Sequence, residues 1–598
     1  MECNRTPGAG SFETGVTLNN WAHNVTVTPQ RFYHPSTVDE LVSIVKEAES
    51  TGATVRTIGS AWSFTDVMFT PDYVVATDRL NSLLSETISG VDYTQQDPVF
   101  GALTFAARRL SLCHVQAGIK IKDLHDRLES RTGSFSNIPG VLLNDGPGGA
   151  PKEHGYALKT LGGSGGQSIV GAVSTSTHGG DTYDGGGNPI RPLPDMVHGI
   201  HMIAPGGAEF FIQRGGALAI ADPTALADLM PCVAGRIISD DDAFNAAVVS
   251  MGRKGITYSV VIEVREQYVL NESQHSGTWN NVLSGSTLAE LRKAHRFLQI
   301  LILPYPNPDG DHTCFITTRD EITPSEPPSS GPGFNAFTVA CDNSFVLQAT
   351  IIGLVNGLAA AIAALLGIPF IGWVLAAPLI ALMALLAPLA VTGVTIGDYL
   401  AAALNIATDL DMLDFAEWLV NTVLSSQLGT YSDHHDLSYK IMDTFDYSSS
   451  CYKALSLEVA FNADAAEYQE YIQILFDNIE SFAAQNILVG AYISLRYCSG
   501  SEALLAIEQW PHTVCIEIAA LAGLDGEMTV LSKFEAEAVK LGAKVHWGQL
   551  NNLTRDDVDV AFPGKIDTWR ATLAQVSSNG SLATFDNDFC ESHGLESE

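Results

Sequence analysis

The densest chemistry in this chain lies between Thr160 and Gly180, in the stretch TLGGSGGQSIVGAVSTSTHGG. Its glycines let the backbone approach a ligand closely, and free N–H groups in such turns form concave sites for anions such as a pyrophosphate. Gly163, Gln167, Ser168, Gly171, Ser174, Thr175, Thr177, His178 and Gly179 are therefore candidate binding residues, with the hydroxyls as short donors. His178 reads either as a residue at the edge of a bound ligand or as a hydrogen-bonded structural histidine. A second turn stands well upstream, Arg56-Thr57-Ile58-Gly59-Ser60-Ala61-Trp62-Ser63-Phe64. Two such turns can clamp one elongated, doubly phosphorylated cofactor, which adds Arg56, Gly59, Ser60, Ala61, Trp62 and Ser63 to the candidates. Asp433-His434-His435-Asp436 resembles a metal quartet, but adjacent side chains diverge, so a solvated loop and no metal site are expected.

The elements around these turns follow from periodicity. Ser36 is the expected N-cap of a helix from Val38 to Ser50, and Thr54–Ile58 is a strand ending in the Gly59 turn. That order closes a βαβ unit, and open α/β sheets bind ligands at such a turn. Strands follow at Tyr73–Thr77 and at His114–Gly118, whose final glycine is another candidate cofactor contact. A helix is expected at Lys122–Arg131 and a strand-like run at Ser168–Val173. A long strand is expected in the segment from Gly252 to Val264, which contains Gly255 and Ile256. The composition shifts near residue 270. Beyond it the pattern predicts a helix at Leu288–Leu301, an amphipathic segment from Asp398 to Leu428, and strands at Leu455–Phe461, Ile487–Leu495, Thr513–Ala519 and Ala543–Trp547. Long helices are expected at Ala465–Ala483 and Leu531–Lys540. The fold class is α+β, with an antiparallel sheet covered on one face.

Composition narrows the function classes. The 598 residues carry 67 acidic against 32 basic side chains, a net charge of −35, which repels nucleic acid and anionic lipid headgroups. Nine scattered cysteines without a CxxC pair suggest neither a disulfide framework nor a zinc site. The opening MECNRTPGAG lacks a basic region and an apolar run, so no secretory signal is visible and a cytoplasmic location is expected. Between Asn343 and Gly397 the chain carries no charged residue. This insert reads as a buried helical hairpin, with membrane-surface contact through residues 343–397 as the alternative.

The motifs NWA, RFYHPST, RTIGSAWSF, HVQAGIKIKDL, TLGGSGGQSIVGAVSTSTHG and SMGRKGITYSVVIEV, in this order, resemble the FAD-binding (PCMH-type) domain of vanillyl-alcohol-oxidase-type flavoproteins. Val545-His546-Trp547-Gly548 is similar to a C-terminal signature of the aldonolactone and alditol oxidase branch. The resemblance implies an FAD-binding domain over residues 1–270 and a cap over 271–545 with the apolar insert at about 343–428. A C-terminal segment, 546–598, would return to the flavin. It implies FAD at the two glycine turns, with Gly255, Ile256 and His546 also near the cofactor, and oxidation of a CH–OH group by hydride transfer to flavin N5. O₂ or another acceptor would complete the reaction. The substrate would be a small alcohol, polyol, lactone or more lipophilic molecule.

The departures from the family pattern matter as much. Covalent members place a histidine where Trp62 stands, and indole cannot form that linkage, so non-covalent FAD is expected. The family's acid and arginine, two positions apart on one strand, correspond to Ser494 and Arg496, so only the arginine is kept. Arg496 would stabilise negative charge on the flavin or polarise a substrate oxygen. The lysine expected after HWG is Gln549, which cannot act as a base. Glu517, in Val514-Cys515-Ile516-Glu517-Ile518, is the candidate replacement, since burial would raise its pKa toward the range of a general base; His546 is the second candidate. The lost acid and base leave open a non-redox role on a flavin scaffold, cyclase-like or binding. A membrane-associated FAD dehydrogenase is a further alternative.

Overall fold

The computed structural model describes residues 3, 5, 8–87, 97–129, 141–143, 152–322, 396–444, 453–577 and 580–596. The expectations for the insert at 343–397, except its last two residues, lie outside them. Among the described residues no helix is long and apolar enough to cross a membrane.

The N-terminal unit is the expected βαβ arrangement. Strands Arg31–Tyr33 and Val55–Ile58 both run parallel to Tyr73–Ala76, which lies between them. The intervening helix, Val38–Thr51, buries Leu41, Val42, Ile44, Val45 and Ala48 at helical spacing. Its cap is Thr37 rather than Ser36. The Thr37 hydroxyl accepts from Glu40 N while the Glu40 carboxylate reaches back, a reciprocal capping box.

A six-stranded sheet follows, in the order Ile237–Ser239, Ala208–Gln213, Val197–Ala204, Ile256–Glu263, Leu112–Gln116, Leu83–Thr87. Gly118, just past Leu112–Gln116, brings this sheet against the first. A Cβ there would lie 1.7 Å from the Thr77 carbonyl oxygen, so only glycine permits the approach. The run after Ser168 is a short helix, Ile169–Ser174, and not a strand. It buries Ile169, Ala172 and Val173, an i, i+3, i+4 spacing that a period-two reading does not capture.

Residues 269–545 build an eight-stranded antiparallel sheet, in the order Tyr431–Leu437, Val269–Thr278, His312–Ile322, Phe297–Pro306, Ala491–Ser499, His512–Leu521, Ala454–Asn462, Lys544–Val545. Two sequence expectations change here. The helix expected at Leu288–Leu301 stops at Ala294, and Phe297–Pro306 is a central strand. Its Leu/Ile run is buried on both faces, which removes the polar alternation that marks an exposed strand. Asp433–Asp436 belongs to the edge strand Tyr431–Leu437, not a loop. The helices Glu467–Ala483 and Glu527–Lys540 cover one face, over Leu457, Val459, Leu495, Ile516 and Ile518. The architecture is α+β.

The chain then returns to its start. Asn587 donates to the Asp66 and Phe69 carbonyls, and Arg56 donates to the Phe585 carbonyl at 2.9 Å. Cys3 and Cys232 form a disulfide across 229 residues, contrary to the expectation from cysteine spacing. Spacing rules see only local pairs, and this one is made by the fold.

Candidate active site

Period-two alternation in the large sheet turns its second face into a polar wall. Gln299 and Leu301, Tyr492 and Arg496, Ser456 and Glu458, Glu517 and Ala519 all point to that side. Opposite this wall stand the two glycine turns, Gly59–Phe64 and Gly162–Thr177. Between them lies a cavity of ≈ 340 Å³, a size suited to a cofactor or substrate. The first turn is pinned from outside. Trp21 N donates to the Ala61 carbonyl at 2.7 Å and Phe64 N to the Gly548 carbonyl at 3.0 Å. Ala61 and Ser176 adopt positive φ (56° and 66°), strained for residues with a Cβ and held only because their surroundings enforce it.

The wall's charges form one buried cluster. Glu458 and Glu517 are direct cross-strand partners, an arrangement of like charges that is repulsive by itself. Arg496 lies between them, donating to Glu458 Oε1 at 2.8 Å and to Glu517 Oε2 at 3.3 Å. His178 Nε2 is 3.3 Å from the same Glu458 oxygen. Burial would raise Glu458, but His178 and Arg496 hold it far below the usual carboxylate range. Burial pushes Glu517 up, and Glu458 adds to this, against the pull of Arg496 and Ser456. Burial alone would lower His178, yet Glu458 and Glu508 hold it up at about 10. His546 is pressed down to about 4, first by burial and then, against Glu458, by the His178 and Arg496 charges. The two facing carboxylates thus have oppositely shifted proton affinities. Glu458 is the fixed anion and Glu517 the one that titrates.

Nearly all the residues expected from sequence come together around this cavity. Arg56, Gly59–Ser63, Gly163, Gln167, Ser168, Gly171, Ser174, Thr175, Thr177, His178, Gly255, Arg496, Glu517, His546 and Gln549 line it. Gly118, Gly179 and Ile256 are not among its lining residues. Gly118 joins two sheets, and a Cβ on Gly179 would meet Thr160 Oγ1 at 2.6 Å and the Leu161 carbonyl at 2.7 Å. Arg56 has its guanidinium committed to the Val67, Met251 and Phe585 carbonyls, so it braces the turn from behind. Sequence reasoning missed Glu458, Ser456, Tyr492 and Gln299. The signal was present, since Ser456 and Glu458 alternate with Leu455, Leu457 and Val459. A second constellation has hydrolase-like spacing, with Asp97 Oδ2 and Ser259 Oγ each 2.7 Å from His114. Ser259 is fully buried within a sheet, so an acyl substrate cannot reach it.

No family model matches the chain. The D-arabinono-1,4-lactone oxidase of Eremothecium gossypii is 26% identical over 271 residues, 44% of this chain and 38% of that protein. The Saccharomyces cerevisiae protein of that name is 24% identical over 295 residues, 49% and 43% of the respective lengths. The chain thus spans less than half the length of these relatives. A cholesterol oxidase from B. sterolicum superposes over 98% of this chain and 97% of its own, with a TM-score of 0.63 and 13% identity. That likeness shows a shared fold over nearly the whole of both chains. A xylooligosaccharide oxidase from Myceliophthora thermophila C1 shares this fold, with a TM-score of 0.54 and 10% identity over 97% of this chain and 94% of its own.

FAD is the cofactor that the motif resemblance implies, and the cavity's own chemistry fits it. Gln167 Oε1, Arg496 Nε and Gln549 Oε1 are buried in its lining without a hydrogen-bond partner within the protein. The glycine turns supply backbone N–H groups and no side-chain bulk. A Cβ on Gly59 would lie 2.0 Å from Ser168 Oγ, closing the gap between the turns. Gly59→Val is therefore expected to abolish flavin retention, read as loss of visible absorbance after desalting, while a soluble folded protein remains by circular dichroism.

Proposed function

We propose that this chain is an FAD-dependent oxidase of a CH–OH group, with non-covalent flavin and O₂ as acceptor. The observation that carries this reading is the Glu458–Arg496–Glu517 bridge on the wall facing both glycine turns. When bound, FAD supplies the hydride acceptor and the reactivity with O₂. The two glycine turns would hold its phosphates, with Ser60, Ser63, Ser168, Thr175 and Thr177 as hydroxyl donors. Residues 1–270 would be the FAD-binding part, 271–545 the cap and 546–598 the returning segment.

The rest is the work of the chain's own side chains. Glu517, raised in affinity and 18% exposed, takes the hydroxyl proton as the alcohol is oxidised. Arg496 directs its Nε–H at the substrate oxygen, where negative charge develops. Glu458 keeps Arg496 and His178 charged and fixed. Gln549 orients the substrate as a neutral donor and acceptor where the resemblance leads one to expect a lysine. Leu301, Tyr492 and Ala519 stand beside Gln299 and Ser456 on the wall. This mixture suits an uncharged alcohol with apolar bulk as well as a lactone or polyol. Trp62 stacks on Trp21 with ring centroids 5.6 Å apart and offers no nucleophile for a covalent flavin link.

The test is a visible spectrum of the purified protein before and after acid precipitation. A flavin spectrum that passes wholly into the supernatant is the expected result. Colourless protein that takes up no FAD when supplied in excess would end the proposal, and a yellow pellet would overturn its non-covalent part.

A further inference from the structure

Outside the cavity lining a second carboxylate approaches His178 Nε2. Glu508 lies in the segment joining the strands Ala491–Ser499 and His512–Leu521, and its side chain is 0% exposed. One of its oxygens accepts from Ser176 Oγ at 2.8 Å. The other, Oε1, has no hydrogen-bond partner and sits 4.0 Å from His178 Nε2. His178 Nδ1 is 2.7 Å from the Gly179 carbonyl, which fixes the ring with Nδ1 as donor and leaves Nε2 facing both glutamates. The imidazole is therefore held between two carboxylates, Glu458 on the cavity side and Glu508 on the core side.

We propose that Glu508 is a positioning residue that divides the His178 imidazolium between itself and Glu458, and through His178 sets the charge that Glu458 and Arg496 present to the cavity. The proposal rests on the oxidase reading for its use but not for its test. With Glu508 protonated, His178 belongs wholly to Glu458, and the cluster reaching the cavity is anchored by two cations. With Glu508 ionised, the imidazolium is shared, and Glu458 turns more strongly to Arg496. Burial keeps both glutamates from being charged without cost, so the cluster's proton count changes near neutrality. Burial raises Glu508 to about 7, against the pull of His178 and Ser176.

Other charged groups bear on the same pocket. Asp195, bound to Ser501 Oγ and Glu502 N, faces Glu508 and opposes its ionisation; Arg191 and Arg214 lie near Asp195 and temper it. On the sheet side stand the Cys498 and Cys515 thiols, 3.8 Å apart, and the neutral ring of His546, 6.3 Å from that of His178. Burial holds the Cys515 thiol well above its ordinary range and His178 is held up at about 10, so Glu508 is the group of this pocket whose proton affinity falls near neutral pH.

The experiment measures folding stability against pH in the purified full chain, without substrate. Glu508 has a higher proton affinity folded (about 7) than its ordinary 4.5. Its stabilising contribution is thus present below about 4.5 and is lost as pH rises through about 7. Each pH unit in that window changes the folding equilibrium about tenfold for one proton. Wild type is expected to lose about fortyfold more folding equilibrium between pH 5 and 7 than Glu508→Gln, which keeps the Ser176 hydrogen bond and cannot ionise. Superimposable profiles would overturn the proposal. His178→Gln provides the second arm and the proof of coupling. It removes the cation that favours ionised Glu508, so the transition near neutrality moves to higher pH. A transition left in place by His178→Gln would overturn the link between the two residues, whether or not Glu508→Gln folds. Loss of flavin or activity alone moves neither result, so failure of the oxidase reading remains distinguishable.

Discussion

Replacing Arg496 with methionine is expected to lower kcat/KM by about 10²–10³-fold, the usual cost of removing a preorganised donor from developing negative charge. The same change is expected to destabilise the fold by about 3–5 kcal/mol, because it leaves buried carboxylates without their shared cation. Both effects have one geometric origin. Glu458 and Glu517 face each other directly across two strands, and the guanidinium at 2.8 and 3.3 Å is what makes that pairing tolerable. His178 still accompanies Glu458 in the variant, at 3.3 Å, so the damage concentrates on Glu517, whose carboxyl rises further. Arg496→Lys is not expected to rescue activity, because an ammonium cannot span two carboxylates while aiming a third donor at the cavity. Steady-state oxygen uptake and a denaturant titration on the same preparation separate the two effects. A variant with full kcat/KM would remove Arg496 from the chemistry and leave it a purely structural bridge.

What could be read in the sequence follows a physical division. The glycine turns were legible because backbone approach demands a residue type, and glycine is visible at any distance from its partner. Gly59 is the example, with Ser168 filling the space a side chain would need. The βαβ unit was legible because its helix carries a buried stripe within one short window. The carboxylate partner of Arg496 was not legible at Ser494, the position where an acid was expected. It comes from the neighbouring strand, since Ser494 pairs in register with Glu517, and Glu517 pairs in turn with Glu458. Register is a property of two strands together, and neither strand announces it alone. The same reason hid the disulfide between Cys3 and Cys232. Phe297–Pro306 was misread as helix because burial on both faces erases the alternation that separates strand from helix in apolar runs.

Glu517→Gln is expected to produce the largest loss of turnover with little loss of fold. If Glu517 takes the hydroxyl proton, the amide removes the base and about 10²–10⁴-fold of kcat. Stability should be kept or improved, because the variant removes one of two facing carboxylates while Arg496 keeps its shorter bond to Glu458. The pH dependence carries the sign of the role. Burial and Glu458 raise the Glu517 carboxyl above its ordinary range, so wild-type kcat/KM should climb as pH rises through that shifted value, when the base loses its proton. In the glutamine variant this acidic limb should vanish along with the activity. Glu458→Gln is the decisive contrast. Glu458 is held ionised by His178 and Arg496, so its loss strands two buried cations and should cost stability as well as rate. If Glu517→Gln instead keeps its turnover and its acidic limb while Glu458→Gln folds normally and loses both, the roles are reversed, and Glu458 is the group that accepts the proton.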